Sequence, residues 1–444
     1  MLNNTLILVT KYLKTLRQWL EIAIFVLKIL VMRALYTLLI FFYGFVLRIA
    51  ALFNPKAAQW VKGRKNFFEN FRLTLQKNKK PIIWMHAASL GEFEQGRPLI
   101  EAIKEKHPNY AILLTFFSPS GYEVRKNFEL ADFVFYLPLD TAKNARLLLE
   151  CAPIKLAIFI KYEYWYNYMA ALNKNRIPLV FISAILRPDQ IFFRKYGTWF
   201  LNHLRKVEWL FVQTQESLSL LQKKGIKKTS FSGDTRFDRV AAITLNAKTN
   251  DIIDRFKGQN KLLVLGSSWP EEEALLYPLL EKFPELKIVI APHQIDRKHL
   301  KEIERKSMDK ALFYSHANIE NVLPKQVLII DNFGLLSSIY RYADFTFIGG
   351  GFGVGIHNTL EAATFGMPIF IGPNYQKFQE AKDLVALGAI EIIEDSFSLE
   401  KELHHLIAFS EKAQEKGQIA REYVKSKTGA TQHILSHLEQ NKLL

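Results

Sequence analysis

Short apolar runs that alternate with helical stretches are the feature that most constrains the fold of this chain. From residue 81 onward the runs are rich in Val, Ile and Phe, and stretches such as residues 96–106, 142–151 and 216–224 have helical periodicity. This alternation is typical of parallel sheets with helices on both faces. The predicted strands of the first half are residues 82–85, 111–116, 133–136, 156–160, 179–182 and 209–212.

The same alternation begins again after a polar stretch that follows residue 238. Predicted strands lie at residues 262–266, 288–290, 327–330, 345–348 and 369–371, and residues 399–444 are predicted to be mainly helical. We therefore expect an extension and anchor at residues 1–53, a Rossmann-like domain at residues 54–240, and a second one with terminal helices at residues 241–444. Open parallel sheets bind ligands at the carboxyl ends of their strands, so we expect a central cleft that both domains face.

Residues 1–80 combine most of the positive charge with the most apolar run of the chain. They contain fourteen Lys and Arg residues against two acids, Glu21 and Glu69, and carry +12 of the formal net charge of +16. The apolar run, residues 20–53, is interrupted by Glu21, Lys28, Arg33 and Arg48. Because a spanning helix needs about 20 consecutive apolar residues, the run predicts a membrane anchor of marginal spanning length.

The sequence leaves two arrangements of this anchor open. One is a tilted span in which Arg33 and Arg48 reach opposite interfaces, and the other is an interfacial helix whose basic residues contact anionic headgroups. The basic residues after Phe53 favour the cytoplasmic side. A signal peptide is disfavoured because no small-residue cleavage site follows, whereas a buried core helix remains an alternative. Met32 is an alternative start, which would make residues 1–31 an extension.

The first chemical motif, residues 84–92, leaves the first predicted strand and enters a helix. Ser89 is a candidate N-cap, and Glu92 would lie in the first helical turn, where a carboxylate can act as a general base. The alternative is that Glu92 only complements the helix dipole. His86, at a strand end, is more often a structural histidine than a catalyst.

The second motif, residues 348–361, leads from a strand through five glycines into a helix. Gly349, Gly350 and Gly351 open a loop of the kind that holds phosphate with backbone N–H groups. No Lys closes the loop, so it is not a Walker A motif. Glu361 is a candidate for a ribose hydroxyl. A purely structural glycine turn is the alternative to ligand binding.

Other candidate residues follow predicted strand ends: Pro292 and His293, the turn at residues 331–334, and the segment 233–238. Arg236 in that segment could hold an anionic group, although a lone Arg is usually a solvated surface charge. The histidines at 293, 299 and 357 match no zinc spacing, and one cysteine cannot build a multi-thiolate site. We therefore expect neither a required metal nor a cofactor.

Several short motifs occur together in a fixed order along most of the chain. They are residues 86–92 (HAASLGE), 118–123 (SPSGYE), 136–140 (YLPLD), 163–165 (EYW), 233–238 (GDTRFD), 291–293 (APH), 349–361 (GGGFGVGIHNTLE), and 372–374 (GPN) followed by Phe378. In this set the chain resembles the Kdo (3-deoxy-D-manno-octulosonic acid) transferases of Gram-negative bacteria, glycosyltransferase family 30.

This resemblance implies an α/β protein with the GT-B fold, attached to the cytoplasmic face of the inner membrane. It implies inverting transfer of Kdo from CMP-Kdo to the lipid A precursor, lipid IVA, in lipopolysaccharide core biosynthesis, beside anionic lipids. Glu92 would be the base, and Glu163 and Arg236 would stabilise the transition state. The implied CMP contacts are Pro292, His293, Phe333, Gly334, Leu335, Asn358, Thr359, Leu360 and Glu361.

The chain departs from the family pattern at three positions. Leu335 stands where an acid is common, Arg236 where Lys is common, and Tyr162 where Thr is common before the acid at 163. The change at Leu335 leaves that CMP contact to the backbone.

Other functions remain as alternatives. One is another GT-B enzyme that uses a UDP-sugar, either a transferase or an epimerase. Another is a non-catalytic membrane adaptor with the same fold, which the presence of Glu92, Glu163 and Glu361 disfavours. Nucleic acid is not an expected partner, because the basic residues crowd the apolar segment and no recognition motif accompanies them.

Overall fold

The computed structural model describes residues 2–194, 197–246, 249–353 and 355–444. Val354 of the glycine motif lies outside the described residues, as do the side chains of Lys11, Lys14, Glu21 and Lys28 that entered the charge count. The chain forms two compact units. The first unit comprises the residues up to Thr235 together with Gly429–Leu444, and the second comprises Arg236–Thr428.

The first unit contains a seven-stranded parallel sheet. Its strands are β1 (Ile82–Ala87), β2 (Ala111–Phe116), β3 (Phe133–Tyr136), β4 (Ile154–Ile160), β5 (Leu179–Ala184), β6 (Trp209–Val212) and β7 (Thr229–Phe231). They lie in the order β3-β2-β1-β4-β5-β6-β7. This is the Rossmann order with one added edge strand, so the strand order reverses between β1 and β4, where such folds bind their ligands.

Helices cover both faces of this sheet and form two hydrophobic clusters with it. The helices are α1 (Leu2–Ala50), α2 (Pro55–Lys62), α3 (Phe67–Leu75), α4 (Leu90–Lys106), α5 (Pro119–Arg125), α6 (Ala142–Cys151), α7 (Tyr166–Lys174), α8 (Thr198–Leu204), α9 (Gln215–Lys223) and the last helix of the chain, Ala430–Gln440. Trp84 and alternate β1 residues pack with α3, α6 and α7 on one face. Ile83, Met85 and Ala87 pack with α4 and the last helix on the other.

The second unit repeats this plan. Its parallel strands are β8 (Leu262–Ser268), β9 (Lys287–Pro292), β10 (Ala311–Phe313), β11 (Val327–Ile329), β12 (Phe345–Ile348), β13 (Ile369–Ile371) and β14 (Ile390–Ile392), in the order β10-β11-β9-β8-β12-β13-β14. The order reverses between β8 and β12, which gives this unit its own switch point. Its helices are α10 (Arg236–Asn246), α11 (Asp251–Lys257), α12 (Pro270–Leu276), α13 (Leu279–Lys282), α14 (Arg297–Lys306), α15 (Leu336–Ile339), α16 (Leu360–Phe365), α17 (Gln379–Ala386), α18 (Ser396–Ala408) and α19 (Ser410–Ser426), so the last helix is α20.

All eleven strands predicted from the sequence are confirmed, and so is the helical C-terminal region. Three strands escaped prediction: β7, β10 and β14. Each is three residues long and lies at the edge of its sheet, so it needs fewer apolar residues and leaves too short a pattern to recognise. The predicted domain boundary follows residue 240, whereas the first compact unit ends at Thr235 and also includes α20. The cause is that Ile434, Leu435 and Leu438 of α20 are buried in the cluster that contains α4.

Helix α1 is a single helix of 49 residues, about 73 Å long at 1.5 Å per residue. Within it, Ile29–Ala50 is long and apolar enough to cross a membrane, with a mean hydropathy of 2.0 and only 11% of the tested window buried. Because most of this segment is exposed, α1 is not the buried core helix that the sequence left as an alternative. Residues 36–44 nevertheless contact the first unit along one side: Ile40 is buried and Gly44 lies against Leu139.

Candidate functional site

In the first unit, two sequence-predicted residues meet at the switch point between β1 and β4. His86 lies in β1, and Glu163 follows β4. Both are buried, and Nε2 of His86 lies 3.0 Å from Oε2 of Glu163. The indole N–H of Trp165 donates to the same carboxylate oxygen at 2.6 Å. Two donors on one oxygen fix the position of the Glu163 carboxylate.

The other side of the His86 ring is also fixed, so the histidine is structurally satisfied as its position at a strand end predicted. Nδ1 lies 3.0 Å from the carbonyl oxygen of Thr115 and 2.9 Å from its hydroxyl. When Nε2–H donates to Glu163, Nδ1 of the neutral ring accepts from the Thr115 hydroxyl. His86 thus orients the acid rather than facing solvent.

Glu92 lies in the first turn of α4, as predicted, and is partly exposed. Ser89 precedes the helix, and its hydroxyl donates to the Glu92 carboxylate. Ser89 makes no side-chain cap hydrogen bond to the backbone, so its hydroxyl orients Glu92 instead. Burial raises the pKa of Tyr162, and the nearby Glu92 carboxylate adds to this rise. The guanidinium of Arg187 lies 5.6 Å from the centre of the Tyr162 ring. Glu92 is therefore a base candidate that remains within reach of solvent and lies near a tyrosine and a cation.

A second buried carboxylate, Asp140, connects α1 to this region. It accepts a hydrogen bond from the Tyr36 hydroxyl of α1 at 2.6 Å, and from the backbone N–H groups of Asn167 and Tyr168 at 2.9 Å each. These N–H groups open α7, which begins directly after Trp165. Burial raises the pKa of Asp140 to about 6, although the three donors oppose the rise.

In the second unit, the glycine motif leaves β12 at the switch point beside β8. The N–H groups of Gly350 and Phe352 donate to Oε1 of Glu272, at 2.9 Å and 3.3 Å, and the N–H of Trp269 donates to Oε2 at 3.0 Å. Glu272 is buried, which raises its pKa while the three N–H donors oppose the rise. The Glu272 carboxylate thus accepts hydrogen bonds from N–H groups of the loop that was predicted to hold phosphate.

Close packing accounts for three of the glycines. A Cβ atom on Gly351 would lie 2.5 Å from the backbone nitrogen of Gly372, and one on Gly350 would lie 2.5 Å from the carbonyl oxygen of Gly355. Gly350 also has a φ of 90°, a conformation that L side chains rarely adopt. A Cβ on Gly349 would meet the backbone at Ser267. The structural explanation of the glycine motif therefore applies at these positions.

Three aromatic rings stack at the carboxyl ends of β8, β9 and β12. The His293 ring lies 4.2 Å from His357 and 4.9 Å from Trp269, centre to centre and nearly parallel to both. The indole N–H of Trp269 donates to Nε2 of His357 at 3.1 Å. Burial, with a smaller effect of His293, lowers the pKa of His357 to about 4. His357 is therefore neutral at physiological pH, and His293 is exposed above it.

The residues that open α16 form a small hydrogen-bonded turn. Oδ1 of Asn358 accepts from the N–H of Leu360 at 3.1 Å, and its amide donates to Glu361 at 3.0 Å. The hydroxyl of Thr359 is buried and has no hydrogen-bond partner among the described residues. Exposed Asn358 and partly exposed Glu361 are thus held close together beside the glycine motif.

The remaining predicted residues take separate places in the second unit. Arg236 opens α10, and its Nη1 lies 3.1 Å from Oε1 of Glu380. Pro292 ends β9 and is buried. Phe333 is 81% exposed, Gly334 has a φ of 93°, and Leu335 is partly exposed before α15. Among the described residues, no group of three or more His, Cys, Asp or Glu side chains could hold a metal ion.

Sequence reasoning missed several residues of these arrangements. Trp165 and Asp140 lie within the motifs, but the sequence did not predict a role for either side chain. No role was predicted for Trp269 or Glu272. Glu272 stands among three consecutive acidic residues at the start of α12, which is an ordinary pattern for a first helical turn. Its partner Gly350 is 78 residues away, so only the fold reveals the contact.

Comparison with solved structures identifies the fold. The UDP-GlcNAc 2-epimerase from Neisseria meningitidis is 16% identical, with a TM-score of 0.57, over 81% of this chain and 100% of the epimerase chain. Another UDP-N-acetylglucosamine 2-epimerase is 14% identical, with a TM-score of 0.56, over 82% of this chain and 98% of its own. Together with the two parallel sheets, this likeness confirms the predicted GT-B fold of two Rossmann-like domains.

Comparison of sequences identifies relatives. Residues 65–239 match the family model of the 3-deoxy-D-manno-octulosonic-acid transferases (kdotransferases). The 3-deoxy-D-manno-octulosonic acid transferase of Haemophilus influenzae is 26% identical over 87% of this chain and 93% of that protein. The transferase of the same name from Aquifex aeolicus is 26% identical over 72% of this chain and 83% of that protein. The resemblance seen in the motifs is therefore confirmed, and the chain is a relative of the 3-deoxy-D-manno-octulosonic-acid transferases.

Proposed function

We propose that this protein is an inverting glycosyltransferase that moves Kdo from CMP-Kdo to the lipid A precursor, lipid IVA, in lipopolysaccharide core biosynthesis. The names of the relatives support the transferase activity and the sugar. The observation that carries the proposal is that the motif residues lie at the switch points of the two sheets, with Glu163 at one and the glycine motif at the other.

In this proposal the first unit activates the acceptor. Glu92 takes the proton from the acceptor hydroxyl, and the Ser89 hydroxyl holds the carboxylate in position. General-base catalysis typically contributes about 10²- to 10⁴-fold. Glu163, fixed by His86 and Trp165, offers a negative charge to the cationic sugar centre of a dissociative transition state.

The second unit binds CMP in this proposal. The exposed His293 ring, stacked on His357 and Trp269, offers a flat surface for the cytosine. Glu361 accepts from a ribose hydroxyl, and Arg236 contributes positive charge toward the phosphate, although Glu380 already neutralises part of it. Gly350 and Phe352 shape the loop but do not supply free N–H donors, because both bind Glu272.

The remaining predicted CMP contacts are assigned by resemblance. Pro292, Phe333, Gly334 and Leu335 would lie along the nucleotide, with Leu335 contributing through its backbone. Asn358, Thr359 and Leu360 would lie at the phosphate, and the buried Thr359 hydroxyl has no partner among the described residues. Gly349 and Gly351, which were also predicted to bind the substrate, pack against the backbone at Ser267 and Gly372 and would act by shaping the loop.

Helix α1 supports attachment to the inner membrane with the two units on the cytoplasmic face. Its apolar side chains, such as Leu38, Phe42 and Phe45, are more than half exposed, and a water-soluble surface rarely carries such a patch. The basic residues that follow the helix favour anionic lipids on the cytoplasmic leaflet.

The experiment that tests the proposal is incubation of the purified full-length protein with CMP-Kdo and lipid IVA, followed by mass spectrometry of the lipid. The expected result is a lipid heavier by one or more Kdo residues, and competition by CMP but not by UDP. An unchanged lipid from folded protein, or inhibition by UDP alone, would contradict the proposal and favour a UDP-sugar enzyme.

A further inference from the structure

A cavity of about 880 Å³ opens between helices α1, α6 and α7 of the first unit. Four basic side chains line it: Arg33 of α1, Lys143 and Arg146 of α6, and Lys174 of α7. None of the activities proposed above uses these residues. The cavity is large enough for a charged headgroup with its surrounding water.

The cavity carries a net positive charge. Among the described residues that line it, the only acid is Glu150, which lies 3.5 Å from Arg146 in an exposed pair. Exposed pairs of this kind contribute little to stability, so Arg146 can exchange its partner for another anion. The four cations against one acid leave a formal charge of +3 on the described lining of the cavity. An anionic ligand is therefore the natural occupant.

The cavity also adjoins an exposed apolar surface. Arg33 lies one helical turn before Tyr36, which contacts the first unit through Asp140, so both side chains point toward the same side of α1. The other sides of α1 expose residues such as Leu35, Leu38 and Phe41. A ligand held here would have its charge in the cavity and apolar chains along the helix. This combination describes an amphiphile with an anionic headgroup.

The cavity lies on the opposite sheet face from the helix that carries the proposed acceptor base. Helices α6 and α7 pack on the sheet face that includes Trp84, whereas α4, which carries Glu92, packs on the opposite face. A headgroup beside Arg146 or Lys174 is thus on the far side of the sheet from the helix that holds Glu92. A resident lipid of the bilayer fits this position better than the reacting acceptor.

We propose that this cavity binds the headgroup phosphate of an anionic glycerophospholipid of the membrane, with the acyl chains against α1. The inference rests on the membrane attachment proposed above. Each basic residue near an anionic membrane surface contributes to binding in an additive way, and the cavity brings four of them to one point. The bound lipid would fix how the first unit lies on the bilayer.

Co-sedimentation of the full-length protein with vesicles tests the proposal. Vesicles of phosphatidylcholine alone are compared with vesicles that also contain phosphatidylglycerol, for the wild type and a Lys143→Ala/Arg146→Ala/Lys174→Ala variant. The matched control, Lys223→Ala/Lys224→Ala/Lys227→Ala, removes the same charge from exposed residues outside the cavity. Because all six positions are exposed, both variants should fold, which thermal unfolding checks.

The expected result is a roughly tenfold to hundredfold loss of phosphatidylglycerol-dependent binding in the cavity variant and a much smaller loss in the control. Equal losses in both variants would overturn the proposal in favour of unspecific charge attraction. No loss in either variant would also overturn it.

Kdo transfer in detergent separates this proposal from the proposed function. The cavity variant should keep transfer to detergent-dispersed lipid IVA, because Glu92 and Glu163 are unchanged. Loss of that transfer with intact folding would instead mean that the cavity binds the acceptor, and would overturn the assignment to a resident phospholipid. Absence of transfer in the wild type would contradict the proposed function alone.

Discussion

Oε1 of Glu272 accepts a hydrogen bond from the backbone N–H of Gly350 at 2.9 Å. The same oxygen lies 3.3 Å from the N–H of Phe352, so one internal carboxylate binds a loop that looks, in sequence, like a phosphate loop. The loop conformation therefore depends on an anion that the chain supplies itself.

Replacing Glu272 by Ala should destabilise the second unit by about 3 kcal/mol, because the N–H groups of Trp269, Gly350 and Phe352 would lose their acceptor. Glu271→Ala, which removes an exposed neighbour in the same helical turn, should change stability by no more than about 0.5 kcal/mol. Urea denaturation of both variants measures the difference. Similar midpoints for the two variants would show that Glu272 does not hold the loop.

Gly350→Ala should lower the melting temperature, because the new Cβ would meet the Gly355 carbonyl and the residue would have to keep a left-handed φ. The cost of such a backbone is about 1–3 kcal/mol. Gly353→Ala is the control, since no atom lies within 4 Å of a Cβ built there. If calorimetry gave the two variants the same melting temperature, the close packing would not be the reason for glycine at 350.

Glu92→Gln should reduce the rate of Kdo transfer by about 10²- to 10⁴-fold, because the amide cannot accept the acceptor proton. Glu101→Gln changes a carboxylate on the same helix that pairs with Arg97, and it should leave the rate nearly unchanged. Initial rates with saturating CMP-Kdo measure the effect. A Glu92→Gln protein with near-normal rates and intact folding would rule out Glu92 as the base.

The imidazole of His357 should be neutral at pH 6, with its proton on Nδ1, because burial lowers its pKa to about 4 and Trp269 donates to Nε2. Nitrogen-15 NMR of histidine-labelled protein reads both the charge and the tautomer. In Trp269→Phe the donor is absent, so the other tautomer becomes accessible. A protonated His357 signal at pH 6 in the wild type would contradict the assignment.

Asp140 should make the unfolding free energy fall as the pH rises from about 4 to about 6. Its pKa is raised to about 6 in the folded protein against 3.8 for an unperturbed carboxyl, so the folded state binds more protons within this window and loses that advantage above it. The effect is on the order of 2–3 kcal/mol. Asp140→Asn should be less stable overall but should lack this part of the pH dependence of the unfolding free energy. Urea titrations at several pH values measure both effects. An unchanged pH dependence in the variant would contradict the role assigned to Asp140.

The sequence was sufficient for the architecture because buried parallel strands are continuous apolar runs, and every predicted strand exists. Edge strands such as β14 escaped because a strand with one neighbour needs little apolar sequence. Glu92 was predicted in the first turn of the helix that follows β1, and it lies there. Glu272 and Trp269 could not be assigned, since their partners Gly350 and His357 are 78 and 88 residues away and no local pattern marks such contacts.

The Tyr36–Asp140 contact gives α1 a structural role in addition to the membrane attachment that we propose for it. Asp140 accepts hydrogen bonds from the Tyr36 hydroxyl and from the first N–H groups of α7. Trp165, the residue before α7, donates a hydrogen bond to Glu163. A fragment that starts after Ala50 would retain both sheets, but the buried Asp140 would lose the hydrogen bond from the Tyr36 hydroxyl. Removing α1 to ease purification would thus loosen the start of α7 and, through Trp165, the position of the Glu163 carboxylate.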